Sequence, residues 1–529
     1  MKQKFNYNMQ TDILFVVPAI RPRMKEESLG TLILAKKASL EGFNVRIARC
    51  WNVDDNPKTD YESFSANFVD YLLNQSPAIV SFYCRCEEYH ICIDISRKIK
   101  AKSPSIYISF GGPQAELVAK DTLQRFNFVD FVCCSEGENT IIPFLNFLLR
   151  NDGSLFPESV DGLTYRNANG VICQNKFPDF LPDNYKRPYY YYDQIPSNVI
   201  SNAKRMQIDV GRGCPFSCTY CSTKTFWKRK FRLRNLQDIV DEIQYVNNHF
   251  DINTFDFMHD LFTANKRRVL EFCEEISKRK LNVKWGCDSR IDTIDYELID
   301  KMQEQGMYQI FFGIETGSER MQQFINKRLN IQRCDKIVKY CISKGLKVTT
   351  SFIYGFPEET EEDIDATIKM AVKFQNYGCT VLTNLCHIMN GTELYVKYKD
   401  NLVVSKDTAY NRCIPAFREL YSMISSNKEM FANFCDFKSP LRDEMKYLDV
   451  FRYTLFYAKA NCPKEHEILV KHNYASICMY RKFCKANDEL FHSVVSPSNG
   501  DVTSIMHTLK YNTSSLTYES MISNLINSL

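Results

Sequence analysis

The chain has 529 residues, 44% of them hydrophobic, room for about three domains of roughly 150 residues each with real cores. Its 67 Lys and Arg stand against 63 Asp and Glu, a net charge of +4, and so even a balance argues against a dedicated nucleic-acid binder. No apolar run nears the roughly 18–20 residues of a membrane helix, and the short N-terminal apolar run is not expected to act as a signal peptide; with 21 scattered cysteines, the expectation is a soluble cytoplasmic protein whose thiols are mostly small buried hydrophobes.

Residues 1–150 alternate strands and helices. The continuous apolar run "DILFVVPAI" (12–20) predicts a buried parallel strand, and "LGTLILAKKASLEG" (29–42) a helix closed by Gly42. "NVRIARC", "AIVSFYC", "IYISFGG" and "FVDFVCCSEGE" follow as further strands. This rhythm predicts a doubly wound, Rossmann-like sheet, whose ligands lie beyond the carboxyl ends of the strands. Those ends carry Ser81, Gly111, Gly112, Glu136 and Gly137, where bare glycines would let a large ligand approach the backbone; ordinary strand-to-helix turns read the same way.

Residues 151–205, rich in Pro, Asn, Asp and Tyr, read as an ordered connector with a hairpin near Asn167–Gly170 and a packed run Tyr189–Tyr192. Residues 206–395 repeat strand and helix six times, from "MQIDVGRGC" through "NTFDFMHD", "VKWGCDSR", "YQIFFGIETG" and "VTTSFIYGFP" to "CTVLTNLCHIM". Six βα units in series predict a partial (β/α)6 barrel with its chemistry at the carboxyl-end mouth.

The first of these strands runs into "GRGCPFSCTYC", with Cys214, Cys218 and Cys221 inside eight positions. A structural zinc site takes four ligands, and no second Cys-x-x-Cys lies nearby. Thiolates also hold iron–sulfur clusters, and three of them leave one iron of a four-iron cluster open. The trio is therefore the candidate metal-binding and catalytic set.

The pattern Cys214-x-x-x-Cys218-x-Tyr220-Cys221 resembles the signature of the radical S-adenosylmethionine (SAM) superfamily. In that family the open iron of a [4Fe-4S] cluster chelates SAM, and reductive cleavage gives a 5′-deoxyadenosyl radical that abstracts hydrogen from substrate. The resemblance implies further SAM contacts at matching positions. Tyr220 would touch the adenine, Asp260 of "FDFMHDLF" the amino group and Glu315 of "FFGIETGSE" the ribose. Ser351 and Gly355 of "SFIYGFPEET" would pass close to SAM, and Arg290 of "CDSRID" would meet its carboxylate or the substrate, with an ion pair to Asp292 or Glu315 as the plain alternative. His259 beside Asp260 would pair with it or pack. In the last strand, the family's Pro-x-Pro-Gly-Thr becomes "HIMNGTELY", which keeps only Gly391-Thr392.

The order "SLGTLILAKKASLEGFNVRI", "VSFYC", "SFGGPQAEL", "VDFVCCSEGENTIIPFL" is similar to the cobalamin-binding-type domain that precedes many radical SAM enzymes, without the Asp-x-His-x-x-Gly loop that ligates cobalt in the mutases. The resemblance implies cobalamin as a further cofactor and methyl transfer to an unactivated carbon, with SAM methylating cobalt and also supplying the radical. Without cobalamin it implies rearrangement, epimerisation or cross-linking of a peptide or small natural-product precursor. An electron donor such as flavodoxin or ferredoxin is expected in either case.

The basic run "KTFWKRKFRLRN" (224–235) reads as a solvated face, with a cap over the site or a nucleic-acid contact as alternatives. A non-catalytic metal- and nucleic-acid-binding module built on it is the competing class. Residues 396–529 read as mainly helical, with "IPAFRELYSMISSNKEMFANF" and "YLDVFRYTLFYAKAN" carrying aromatic stripes and a polar tail of small helices beyond. Cysteines 413, 435, 462, 478 and 484 lack the pairing of an auxiliary cluster, and the region is expected to shape the substrate site.

Overall fold

A computed structural model describes residues 11–18, 28–50, 60–151, 153–404, 416–437, 439–494 and 515–529. The chain divides into two compact units, one of residues 1–204, 389–391 and 414–434, the other of 205–388, 392–413 and 435–529.

In the first unit, β1 (Thr11–Val17), β2 (Val45–Arg49), β3 (Pro77–Tyr83), β4 (Tyr107–Gly111) and β5 (Phe131–Cys133) pair in parallel in the order 2-1-3-4-5. The order reverses between β1 and β3, and at such a switch point the outgoing chains part and leave a crevice. The hairpin predicted near Asn167–Gly170 is present as β6 (Leu163–Arg166) and β7 (Ile172–Gln174), which extend the sheet antiparallel to β5. Ser28 caps the helix Leu29–Leu40, and Gly42 just past its end takes φ +80°, the left-handed stop that glycine adopts without strain. One sheet face packs Ile13, Phe15 and Ile79 against Ala35, Ala38, Ile141 and Phe144 from two helices.

In the second unit, β8 (Met206–Asp209), β11 (Thr254–Met258), β12 (Lys284–Ser289), β13 (Met307–Glu315), β14 (Lys347–Tyr354) and β15 (Thr380–Leu385) form one parallel sheet in strict chain order. Two short strands, β9 (Gly211–Arg212) and β10 (Arg232–Leu233), pair beside it. Each βα unit adds its strand to the same edge, so the sheet curls into a part-barrel as the six repeats predict. Side chains alternate across it. Phe255, Phe257, Trp285, Ile310 and Phe312 are buried, and Phe257 stacks on Trp285 at 4.9 Å. The opposite row holds Asp256, Met258, Asp288, Phe311, Thr349 and Leu382, with Met258 and Leu382 about two-fifths exposed at 40% and 38%.

Helices Leu448–Asn461, Ile477–Ala486 and Ser515–Asn527 pack Phe451, Leu455, Phe483, Ile522 and Leu525 onto Ile364, Ile368 and Val372 of the barrel helix Glu361–Tyr377. The helical stretch expected over 414–434 is, across its described residues 416–434, a turn, a short helix Tyr421–Ser426 and two 3-10 turns. Met430, Phe431, Ala432 and Phe434 are all buried, and so many consecutive buried positions cannot fall on one helical stripe. The polar tail between 495 and 514 lies outside the described residues.

Candidate active site

The cysteine loop starts where β8 gives way to β9, and two glycines make that start possible. Gly211 has φ +151° and Gly213 φ +88°. A Cβ on Gly211 would collide with the Arg232 carbonyl oxygen, and one on Gly213 with that of Lys230. The two strands thus close the loop at its neck.

From the neck, the loop is tied at every turn. Asp260 Oδ2 accepts from Gly213 N–H at 2.7 Å. Asn326 Nδ2 donates to the Ser217 carbonyl at 3.0 Å and to Ser217 Oγ at 3.1 Å. Thr219 N–H donates to the Ile325 carbonyl at 3.0 Å, and Leu394 N–H to that of Thr219 at 3.1 Å. His259, behind the neck, accepts from Leu261 N–H on Nδ1 at 2.8 Å. Its proton therefore sits on Nε2, which donates to the Arg232 carbonyl at 3.2 Å. Burial lowers this imidazole to about 4, so it is a neutral clamp on the neck, not hydrogen-bonded to Asp260.

Every described cysteine is a free thiol. Cys218 is buried, and Cys214 and Cys221 are half-buried. Burial pushes the Cys214 thiol up to about 11, with the other two sulfurs adding to the rise, and Cys221 is raised for the same reason. Three mutually repelling sulfurs in one loop suit a cation that takes their protons. Among the described residues no three His, Cys, Asp or Glu side chains converge on a single-ion site, and thiols bound to separate irons of a cubane need no such convergence. Arg290 stands over the loop, donating from Nη1 to Cys218 Sγ at 3.5 Å and stacking its guanidinium 3.7 Å from the Phe216 ring centre. Asp292 holds it in a fork of two 2.9 Å hydrogen bonds, and Nη2 also donates to the Lys327 carbonyl at 2.9 Å. Of the two carboxylates weighed as its partner, Asp292 is the one.

Beside the cysteines, Tyr220 OH donates to Glu315 Oε1 at 2.9 Å, and Lys327 Nζ donates to the same oxygen at 2.7 Å. Glu315 ends β13 with φ +72°, where the register with β14 slips between Gly313 and Glu315. The kink folds its carboxylate back over the strand into the space a Cβ on Gly313 would need. Ser351 pairs with Gly313 across the strands, and its Oγ accepts from Asn384 Nδ2 at 3.2 Å. Gly355 turns the chain at the end of β14 with φ +76°, its N–H bonded to Glu359 Oε2 and its carbonyl to Arg442 Nη1. Asp260, Arg290, Glu315 and Gly355 therefore sit at or just past the carboxyl ends of β11, β12, β13 and β14, the cysteines follow β9, and Ser351 lies within β14.

The radical SAM superfamily matches residues 208–371. The chain carries a radical SAM domain.

Among curated relatives, an uncharacterised methyltransferase of Pyrococcus horikoshii is 29% identical over 301 residues, 56% of this chain and 64% of that protein. An anaerobic magnesium-protoporphyrin IX monomethyl ester cyclase of Rubrivivax gelatinosus is 27% identical over 282 residues, 51% of this chain and 50% of the cyclase. The chain thus spans between half and two thirds of the length of these relatives. A solved structure of the cobalamin-dependent S-adenosylmethionine radical enzyme OxsB, with aqua-cobalamin and S-adenosylmethionine bound, superposes with a TM-score of 0.64 at 14% identity, covering 97% of this chain and 78% of that one. The likeness is one of fold: a doubly wound Rossmann-like unit, a six-stranded α/β part-barrel and a helical C-terminal region. No helix among the described residues is long and apolar enough to cross a membrane.

Lys327 and Asp288 lie beside the site residues named above without standing out in the sequence: Lys327 lies outside the motifs, and Asp288 sits inside "CDSRID", where the sequence reading takes Arg290 instead. Asp288 is open to solvent on the concave face but ringed by protein. That desolvation, with Asp260 and Asp256 nearby, raises its carboxyl to about 6.

The expectation of a solvated basic face fails for part of 224–235. Lys228, Arg229 and Lys230 are exposed, but Arg232 and Arg234 are buried. Arg234 is drawn in by Glu242 and by Asp238 at 2.6 Å, ion pairs that composition alone does not reveal.

At the Rossmann strand ends, Gly111 lies open, its nearest neighbour to a Cβ being the Cys133 carbonyl oxygen at 3.7 Å. Ser81 and Ser109 stand opposite each other on β3 and β4, and the buried Ser109 Oγ has no hydrogen-bond partner. A Cβ on Gly112 (φ +97°) would meet Tyr83 and the Cys84 carbonyl at 3.0 Å, and one on Gly137 would meet Leu34 at 2.7 Å. The chain's own atoms fill those two approaches. Glu136 is buried and accepts from Leu181 N–H at 2.5 Å. Of the Tyr189–Tyr192 run, Tyr191 and Tyr192 are buried, with ring centres 4.7 Å apart.

Proposed function

We propose that this chain is a radical SAM enzyme that binds a [4Fe-4S] cluster through Cys214, Cys218 and Cys221, and that it methylates an unactivated carbon of a peptide or small natural-product precursor with cobalamin as a further cofactor. The observation that carries the reading is the three-thiol loop, pinned at Gly213, Ser217 and Thr219 and crossed by the Arg290 guanidinium. When bound, the cluster supplies the electron that cleaves SAM to a 5′-deoxyadenosyl radical, and cobalamin supplies the methyl carrier.

The chain's residues prepare the site. Asp260 anchors the loop through Oδ2 and offers its second, exposed oxygen to the SAM amino group. Tyr220 presents its ring to the adenine, and Glu315 its free oxygen to the ribose hydroxyls. Ser351 and Gly355 form the wall beneath them. Arg290, already committed to Asp292, places positive charge on a cluster ligand instead of on the SAM carboxylate. The concave row of Met258, Phe311 and Leu382 gives substrate an apolar floor. Ser81, Ser109 and Gly111 at the Rossmann switch face are the polar and open positions that fit cobalamin, with Gly112, Glu136 and Gly137 shaping the turns around them.

A second reading, hydrogen abstraction without cobalamin leading to rearrangement, epimerisation or cross-linking, draws on the filled approaches at Gly112 and Gly137 and on the cyclase among the relatives. Protein purified from cells supplied with cobalamin separates the two. The methyl-transfer reading expects a bound corrinoid spectrum, and S-adenosylhomocysteine beside 5′-deoxyadenosine on anaerobic reduction with SAM. 5′-Deoxyadenosine from corrinoid-free protein supports the second reading, and the absence of both nucleosides refutes radical SAM chemistry altogether.

A further inference from the structure

Between Asp209 and Asp238 lie 28 residues without a single Asp or Glu, and seven of them are Lys or Arg. Four of those cations are absorbed by the fold. Arg212 pairs with Asp209 at 3.5 Å and Lys224 with Glu393, while Arg232 and Arg234 are buried. The other three, Lys228, Arg229 and Lys230, are consecutive and exposed.

Their backbone is costly. Lys228 and Arg229 both take left-handed conformations, φ +47° and +59°, which are strained for residues other than glycine. Glycines would turn the chain more cheaply and would remove the charge. The turn is also held: it ends the helix Thr223–Trp227, Lys230 N–H bonds the Trp227 carbonyl at 2.8 Å, and the chain then enters β10. Arg229 Nε donates to the Pro215 carbonyl at 3.1 Å, one residue beyond Cys214. Arg229 therefore ties a turn bearing three exposed cations to the cysteine loop.

We infer that the Lys228–Arg229–Lys230 turn is the docking surface for an acidic one-electron carrier protein, an inference that rests on the cluster reading above. A carrier must bring its redox group close to the acceptor, and a basic patch over the cluster loop steers a negatively charged surface there. The carrier loses one electron to the cluster the three thiols hold, and no atom changes hands. A single-stranded nucleic acid fits less well, because it needs exposed aromatic faces for its bases. Here Arg232 covers the Trp227 ring at 5.3 Å and Phe231 packs on His259 at 5.1 Å.

The test is the affinity of the full-length chain for labelled reduced flavodoxin, measured anaerobically by fluorescence anisotropy over a range of salt. K228E/K230E changes two side chains and leaves Arg229 on Pro215. It is expected to weaken binding at low ionic strength by about tenfold or more and to flatten the salt dependence, with K228Q/K230Q intermediate and with iron content and dithionite-driven SAM cleavage unchanged. Unaltered affinity overturns the inference, as does an equal loss of dithionite-driven cleavage. So does loss of binding to a labelled single-stranded oligonucleotide with flavodoxin binding retained. Because binding is also measured on a C214A/C218A/C221A chain, a failure of the cluster reading shows separately from a failure of docking.

Discussion

Lys327 donates to Glu315 at 2.7 Å with both side chains buried, at 6% and 8% exposure. The pair joins the end of β13 to the segment after the helix Glu319–Phe324, and Tyr220 shares the same carboxylate oxygen. The cluster loop and the strand proposed to carry SAM are thereby locked through one oxygen atom. A buried ion pair need not add net stability, but removing one partner leaves an unpaired buried charge.

Lys327→Met is therefore expected to lower the unfolding free energy by about 3–5 kcal/mol, and the double variant E315Q/K327M to recover much of that loss. Urea denaturation of the three proteins checks it. Equal stability of K327M and the parent would show that Glu315 finds another partner.

Gly213→Ala is expected to abolish cluster incorporation, since the new Cβ would strike the Lys230 carbonyl at a left-handed position. Gly30 supplies the control. It lies in the helix Leu29–Leu40 with nothing within 4 Å of a Cβ, so Gly30→Ala should stabilise by about 0.5–1 kcal/mol. Iron content and thermal melts of the two variants read both effects.

The fold was largely legible because its signals are local. Each βα repeat writes its own apolar run and its own turn, and the cysteine spacing sits inside eight positions. What sequence could not show depends on distant partners. Lys327 looks like any surface lysine until Glu315 meets it. Arg232 and Arg234 share a basic run with three exposed cations, and it is Asp238 and Glu242 of the following helix that draw Arg234 inside. The segment 416–434 carries aromatics at near-helical spacing, yet its last five residues, 430–434, are all buried and it breaks into short turns.

Arg290 contacts Cys218 Sγ at 3.5 Å, and hydrogen bonds and positive charge at a cluster ligand favour the reduced form. Arg290→Met should shift the cluster's midpoint potential to more negative values. Arg290→Lys should shift it less, although a lysine cannot reproduce the fork to Asp292. An EPR-monitored redox titration measures both, and an unchanged potential in R290M contradicts the assignment.

Glu359 supplies a pH dependence. Burial raises its carboxyl from 4.5 to about 8, and one oxygen has no partner while the other accepts from Gly355 and Phe356 N–H. The folded chain keeps the proton up to about pH 8 and the unfolded chain releases it near 4.5. Unfolding is therefore favoured increasingly as pH rises between those values, by up to about 1.4 kcal/mol per pH unit. Glu359→Gln, which mimics the neutral acid, should flatten that slope in denaturation series from pH 5 to 8. A slope unchanged from the parent would mean that the carboxyl is already ionised.

The central claim is that three thiols hold a cubane whose fourth iron is free for SAM. Anaerobic reconstitution with iron and sulfide, followed by Mössbauer and EPR spectroscopy with and without SAM, tests it most directly. The expected result is about four irons per chain, a reduced-state EPR signal that changes when SAM is added, and loss of both in C214A/C218A/C221A. A chain that takes up a single zinc ion in place of iron and sulfide, or a triple variant that keeps its cluster, would contradict it.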